Sequence, residues 1–178
     1  MNLALIGYRG TGKSTVARQL ALELGWDWVD ADVELELAAG KSIAAIFADD
    51  GEGHFRDLES QVLVTLVTRP RTVIAAGGGV VLREENRREL GRCGHVVWLR
   101  ALPATILRRV AADATTVGRR PRLTTAGGDA EVVRLLAQRE PLYRQCAGLE
   151  IDTEDKRPAE IAGEIIRQLH LSSSKELV

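Results

Sequence analysis

The chain has 178 residues, of which 45% are apolar and 28% charged, and its formal net charge is −1. This length and balance predict one soluble domain with a full hydrophobic core, and they exclude a disordered chain or a strongly basic nucleic-acid-binding protein. No apolar run approaches the length of a bilayer span, and the small net charge favours neither a nucleic-acid nor a membrane partner. Cys93 and Cys146 lie far apart without partners at zinc spacing, so we expect reduced thiols in a cytoplasmic protein, with a disulfide as the alternative. We also expect a monomer.

The first predicted element is a short buried strand, the apolar run Leu3-Ala4-Leu5-Ile6. A glycine-rich loop follows from Gly7 to Ser14 and fills every fixed position of the phosphate-binding pattern G-x-x-x-x-G-K-S/T. Apolar residues at helical spacing from Val16 to Leu24 then predict a helix that ends at Gly25. A strand before the loop and a helix after it form the context in which this motif binds a nucleoside triphosphate.

Each residue type in the loop suits phosphate binding. Glycines have no Cβ, so the backbone N–H groups can approach phosphate oxygens, and a lysine reaches the β- and γ-phosphates. The alternative is a glycine-rich turn with a surface lysine, and the flanking strand and helix weigh against it. We therefore predict nucleotide contacts from Gly10, Thr11, Gly12, Lys13, Ser14 and Thr15, with Ser14 also ligating Mg²⁺.

A second strand, Trp26 to Asp30, ends in the acidic pair Asp30-Ala31-Asp32. Residues i and i+2 of an extended segment face the same way, so both carboxylates would enter one site at the carboxyl end of the strand. One of them would orient Mg²⁺, and the other would accept a hydrogen bond from a substrate hydroxyl. The alternative is that Asp32 only caps a helix predicted from Val33 to Ala39, which would leave Asp30 unexplained.

The next segment predicts a short helix, Ser42 to Phe47, which breaks at Gly51 and Gly53, and a second helix that opens at Phe55. Arg56 and Glu59 are three residues apart in the second helix and share one face, so Glu59 would hold the guanidinium in place. The alternative is a solvated surface pair, which is the common outcome for such spacing.

The predicted strand Val73 to Ala76 ends in Gly77-Gly78-Gly79. Three glycines at this position remove side chains where a ligand or another backbone approaches, and a flexible loop is the alternative. A helix over Glu84 to Leu90, a strand over His95 to Leu99 and a helix over Pro103 to Val110 follow.

The segment from 111 to 129 differs from the rest because it is rich in Thr, Gly and Arg and has little periodicity. A loop this long is usually functional or disordered, and above a triphosphate site its arginines favour a mobile lid. A helix from Ala130 past Gln138, a strand over Leu149 to Thr153 and a helix over Pro158 to Leu169 complete the chain. Five strands that alternate with helices predict an α/β fold with a parallel sheet covered on both faces.

Five further motifs occur in a fixed order, and with them the chain resembles the shikimate kinase family over nearly its whole length. They are Asp30-x-Asp32, Phe55-Arg56-x-x-Glu59, Gly77-Gly78-Gly79, Arg120-Pro121-x-Leu123 and Arg139-x-x-Leu142-Tyr143. The resemblance implies the three-layer α/β fold of P-loop kinases, with a five-stranded parallel sheet flanked by helices. It also implies a single domain over 1–178, a lid at about 111–129 and a substrate-binding segment at about 32–60.

The resemblance further implies ATP-dependent phosphorylation of the 3-hydroxyl of shikimate in chorismate biosynthesis, with Mg²⁺ as cofactor. The positions that match the family's shikimate-binding residues are Asp32, Arg56, Gly78 and Arg139. Those that match its phosphate and metal residues are Lys13, Ser14 and Asp30, with Arg120 as the lid arginine. Lys13, Asp32 and Arg120 are accordingly the implied catalytic residues.

The family's adenine lies between an arginine near the start of the lid and the loop after the last strand. In this chain that loop offers Lys156 and Arg157, and we assign Arg157 to ATP binding. The lid-start arginine stays open, since Arg108 and Arg109 lie close but Asp113 is nearer to the expected place.

Residue chemistry favours the same substrate class independently. Two arginines, Arg56 and Arg139, suit a carboxylate, and Asp32 suits a hydroxyl. The chain departs from the family pattern at Arg122, where a leucine is usual, and in the large charged Arg9 of the phosphate loop. Which lid arginine contacts the phosphates therefore stays open.

Two other functions are alternatives. A gluconate- or nucleoside monophosphate kinase-like enzyme would share the loop and lid, but it lacks the combination of Phe-Arg-x-x-Glu with Gly-Gly-Gly. A shikimate-kinase-like protein that binds nucleotide without phosphoryl transfer would have lost Lys13, Asp32 or an arginine, and none of them is lost.

Overall fold

The structure is a computed structural model that describes residues 1–112 and 129–172. Its centre is a five-stranded sheet in the order β2-β3-β1-β4-β5, in which every neighbouring pair is parallel. The strands are β1 (Leu3–Ile6), β2 (Asp27–Asp30), β3 (Thr72–Ala75), β4 (His95–Arg100) and β5 (Leu149–Asp152). Because β1 lies between β3 and β4, the loop after β1 emerges at the middle of the carboxyl edge, where α/β proteins bind ligands.

Helices cover both faces of this sheet, and their bounds follow the apolar periodicity closely. They are α1 (Lys13–Leu24), α2 (Ala31–Ala39), α3 (Ile43–Asp49), α4 (Gly51–Leu66), α5 (Glu84–Leu90), α6 (Pro103–Ala112), α7 (Asp129–Cys146) and α8 (Pro158–Gln168), with a 3₁₀ turn over Val80–Leu82. Among these described helices, none has the length and apolar composition that a bilayer span requires.

The two helical layers pack against alternate residues of β1. Leu3 and Leu5 lie in a cluster with α1 and α8, whereas Ala4 and Ile6 lie in a second cluster with α4, α5 and Tyr143 of α7. All four strand residues are fully buried, as expected for a strand with helices on both faces. The predicted three-layer α/β fold is confirmed.

The junction between α3 and α4 is tighter than predicted. The second helix begins at Gly51 instead of Phe55, and Gly53 lies inside it without breaking it. Gly51 has a φ of 80°, so the chain turns directly from one helix into the next at a residue that tolerates this conformation.

Helix α2 begins earlier than the sequence pattern predicts. Asp30 is its N-cap, and its Oδ1 accepts a hydrogen bond from the backbone N–H of Asp32 at 3.0 Å. Asp32 therefore lies in the first helical turn, so the alternative in which Asp32 caps the helix is wrong. The premise that both aspartates share one extended segment is wrong for the same reason.

Cys93 and Cys146 are free thiols on the edge of the second core cluster. Burial raises the pKa of Cys93 to about 11 and also raises the pKa of Cys146. Neither thiol is activated as a nucleophile at neutral pH, so neither belongs to the candidate site.

Candidate active site

A cavity of about 780 Å³ opens at the carboxyl edge of the sheet, beside the start of α1. This volume lies within the range of small-molecule binding sites. The predicted site residues that line it are Gly10, Thr11, Gly12, Lys13, Ser14, Thr15, Asp30, Asp32 and Gly78. The structure thus brings the phosphate loop, the acidic pair and the glycine loop to one place.

The phosphate loop requires glycine at Gly7 and Gly12 for different reasons. A Cβ at Gly7 would lie 2.3 Å from the Leu99 carbonyl oxygen, so the loop can leave β1 beside β4 only without a side chain. Gly12 has a φ of 89° and is the N-cap of α1. The turn at Gly12 directs the N-terminus of α1 at the cavity, where its N–H groups and dipole favour an anion.

Lys13 lies folded back over its own loop. Its Nζ donates hydrogen bonds to the carbonyl oxygens of Gly7 at 2.8 Å and Tyr8 at 2.9 Å, and its side chain lines the cavity. These carbonyls hold the ammonium next to the helix N-terminus. A bound phosphate would therefore find a cation and backbone donors on the same side.

Ser14 and Asp30 form a pair of oxygen donors at the cavity. The Ser14 hydroxyl donates to Asp30 Oδ2 at 2.5 Å, while Asp30 Oδ1 caps α2. Within residues 1–112 and 129–172 no cluster of three or more His, Cys, Asp or Glu side chains suits a metal. Two hard oxygens nevertheless fit Mg²⁺ in a nucleotide site, because the ion takes its remaining ligands from phosphates and water.

Asp32 reaches the cavity by a different route from the one predicted. It lies in the first turn of α2, which starts at the carboxyl end of β2, and its side chain borders the same cavity as Asp30. The Asp30 cap fixes where this turn begins. The Asp30 carboxylate therefore contacts Ser14, whereas the Asp32 carboxylate lies on the first turn of α2.

Arg56 is a buried charge in α4, held by two carboxylates. Its Nη1 donates to Glu59 at 2.6 Å and its Nη2 to Glu52 at 3.0 Å, and the Arg56 and Glu59 side chains are 10% and 5% exposed. The alternative of a solvated surface pair is therefore wrong. A Cβ on Gly79 would lie 2.3 Å from Arg56 Nη1, so the guanidinium lies directly against the glycine loop.

Arg139 approaches the same glycine loop from α7. The residue is 7% exposed, and its Nη1 donates to the Gly78 carbonyl oxygen at 3.3 Å. Tyr143, one helical turn later, donates its hydroxyl to the same oxygen at 2.5 Å. Arg56 lies against Gly79 and Arg139 against Gly78, so both guanidinium groups contact the glycine loop, although of these four residues only Gly78 lines the cavity. The alternative of a flexible glycine loop finds no support, since the loop is buried.

Arg109, which the sequence left open, also lines the cavity. Its guanidinium donates to the Thr153 hydroxyl at 3.0 Å and carbonyl at 2.8 Å, and it lines the cavity together with Lys156. Arg157 does not line this cavity; it is 81% exposed and pairs with Glu160 at 3.2 Å. The available signal for Arg109 was its position three residues after the buried Ile106, on the same helical face.

Arg120, the implied lid arginine, lies outside the described residues. The same is true of Asp113 and Arg122, because the description stops at residue 112 and resumes at 129. The contacts of the predicted lid therefore stay a prediction.

The chain is similar to known proteins in both sequence and fold. The model of the family described as shikimate kinase matches residues 9–170. The shikimate kinase of Rhodopirellula baltica is 48% identical over 93% of this chain and 89% of its own, and that of Thermodesulfovibrio yellowstonii is 41% identical over 98% of both chains. The solved structure of the Acinetobacter baumannii enzyme, in complex with shikimate, has a TM-score of 0.89 and 36% identity over 95% of this chain and 92% of its own.

These likenesses cover the phosphate loop from its third residue, the acidic pair, both buried arginines and the glycine loop within one continuous match. Relatives at this identity, matched over nearly their full length, share the fold. The chain belongs to the shikimate kinase family.

Proposed function

We propose that this protein transfers the γ-phosphoryl group of ATP to the 3-hydroxyl of shikimate, which yields shikimate 3-phosphate and ADP. The observation that carries the proposal is the approach of two buried arginines, Arg56 and Arg139, to a glycine loop beside a phosphate-binding loop. A small acid with a nearby hydroxyl fits such a site, since the arginines take the carboxylate and the hydroxyl lies toward the triphosphate.

ATP would bind with its phosphates on Gly10 to Thr15 at the N-terminus of α1. Lys13 would exchange its carbonyl partners for phosphate oxygens, which carry more negative charge than a carbonyl. Arg109 and Lys156 both line the cavity, which supports them as the residues beside adenine. Arg157 is the weaker candidate because it pairs outside the cavity lining.

Ser14 and Asp30 would hold Mg²⁺, as their oxygens are 2.5 Å apart beside the phosphate loop. When bound, the ion would neutralise charge on the phosphates and help orient them. The chain's own contribution is to keep both oxygens in place, Asp30 through its cap on α2 and Ser14 through the first turn of α1.

Asp32 would orient the attacking hydroxyl and accept its proton as the oxygen bonds to the γ-phosphorus and the bridging bond to ADP breaks. Phosphoryl transfer depends mainly on positioning and on charge stabilisation, so orientation is the larger part of this role. Arg120 would stabilise the transferring group from the lid at about 111–129, an assignment that rests on the sequence motif. The substrate-binding segment at about 32–60 and the lid belong, in this proposal, to one domain over 1–178 that acts as a cytoplasmic monomer.

The test is a coupled assay of ADP release with shikimate, gluconate, AMP or no acceptor. We expect release that depends on shikimate, stops with EDTA and returns with Mg²⁺. Arg139→Ala tests the shikimate site separately from the ATP site. This variant should raise the KM for shikimate and leave the KM for ATP close to wild type. Release that depends on gluconate or AMP, or none with any acceptor, would overturn the proposal.

A further inference from the structure

Tyr8 belongs to the phosphate loop, and its main chain and side chain make contacts in different parts of the structure. Its carbonyl oxygen accepts the hydrogen bond from Lys13 Nζ at 2.9 Å. Its ring turns away from this contact, is 1% exposed and packs between α6 and α7. The buried side chains around the ring are Ile106, Val132 and Leu136.

The ring also carries a guanidinium on its face. The Arg139 Cζ lies 5.4 Å from the Tyr8 ring centroid, within the range of a cation–π contact. Within residues 1–112 and 129–172, the other contact that holds Arg139 is its hydrogen bond to the Gly78 carbonyl oxygen at 3.3 Å, which is long for a charged donor. Among the described residues no carboxylate pairs with Arg139, whereas Arg56 has Glu59 and Glu52.

We propose that the Tyr8 ring is a positioning residue for Arg139, aiming its guanidinium at the carboxylate of the acid substrate. This inference rests on the proposed function. A cation whose orientation is set by an aromatic face and one long hydrogen bond loses much of that orientation when the face is removed. Within the described chain the Tyr8 hydroxyl has no hydrogen-bond partner, so the ring face acts and not the hydroxyl.

Two substitutions of the Tyr8 side chain test this role of the ring. Tyr8→Leu removes the ring face while keeping an apolar group between α6 and α7, and we expect the KM for shikimate to rise about 5- to 30-fold. Tyr8→Phe keeps the face and should hold that KM within about twofold of wild type. The KM for ATP should change little in either variant, because the loop contributes the Tyr8 carbonyl and not its side chain to Lys13.

The decisive experiment is a double-mutant cycle with Arg139→Ala, measured by ADP release at varied shikimate. If the ring acts through Arg139, adding Tyr8→Leu to Arg139→Ala should raise the KM by less than about twofold further. A rise that multiplies the two single effects, or a Tyr8→Phe variant as poor as Tyr8→Leu, would overturn the inference. Should Tyr8→Leu fail to fold by circular dichroism, Tyr8→Met enters the same cycle.

The result also separates this inference from the proposed function. A wild-type protein that releases no shikimate-dependent ADP would overturn both. An active wild type with an unchanged KM in Tyr8→Leu would overturn the positioning role of Tyr8 alone.

Discussion

Gly79→Ala should damage shikimate binding without contacting shikimate. The backbone at Gly79 has φ −102° and ψ 0°, which alanine adopts, so the substitution causes no backbone strain. The added methyl group would instead lie 2.3 Å from Arg56 Nη1 and 2.8 Å from its Cζ. Since carbon and nitrogen need well over 3 Å, the guanidinium must move by roughly 1 Å.

The size of the effect follows from what Arg56 would lose. Its side chain is 10% exposed and held by Glu59 at 2.6 Å, so a shifted guanidinium stays in the site but no longer meets the carboxylate at the proper distance. Loss of one charge-assisted contact costs about 1.5–3 kcal/mol, which corresponds to a rise of roughly 10- to 100-fold in the KM for shikimate. The turnover number at saturating shikimate should fall less, because the carboxylate is remote from the reacting oxygen.

The assay is ADP release at varied shikimate and saturating ATP, with Gly53→Ala as control. Gly53 lies in the same helix as Arg56, and a Cβ there would meet nothing within 4 Å. That control should keep the KM and, as alanine favours a helix over glycine by about 0.5–1 kcal/mol, unfold at a slightly higher temperature. An unchanged KM in Gly79→Ala would refute the placement of Arg56 at the carboxylate, and a matching rise in the KM for ATP would indicate a general defect of the site.

Three further predictions concern the residues around the phosphates. Asp30→Asn should raise the Mg²⁺ concentration needed for half-maximal activity, because it removes the negative charge of the carboxylate that pairs with Ser14. A Mg²⁺ titration of the activity checks this. Asp32→Asn should lower the turnover number and weaken shikimate binding together; an unchanged turnover number would restrict Asp32 to a structural part in α2. Arg120→Ala should lower the turnover number by about 10³-fold or more with little change in the KM for shikimate, whereas Arg122→Ala should be mild. The reverse order in steady-state kinetics would exchange the roles of the two lid arginines.

Most of the fold could be predicted from short sequence patterns. Every predicted strand is present to within about a residue at each end, because apolar runs and glycine punctuation act over a few neighbouring residues. Errors occurred where two local signals competed. Glycine disfavours a helix interior only weakly, so the packing of α4 keeps Gly53 helical and the predicted break there is wrong. Asp30, the last residue of β2, is the N-cap of α2, so Asp32 lies inside the helix instead of capping it.

The sequence by itself determined the strand–loop–helix phosphate site, the order of the motifs and the family, since these depend on residue identity and spacing. Only the tertiary structure decided that Arg109, and not Arg157, faces the cavity, and that the Tyr8 ring lies under Arg139. Arg109 binds Thr153, a residue 44 positions away, and Arg139 binds Gly78 across 61 positions. Such contacts arise from how helices cross the sheet edge, and no pattern within a single helix specifies which distant partner its arginine will meet.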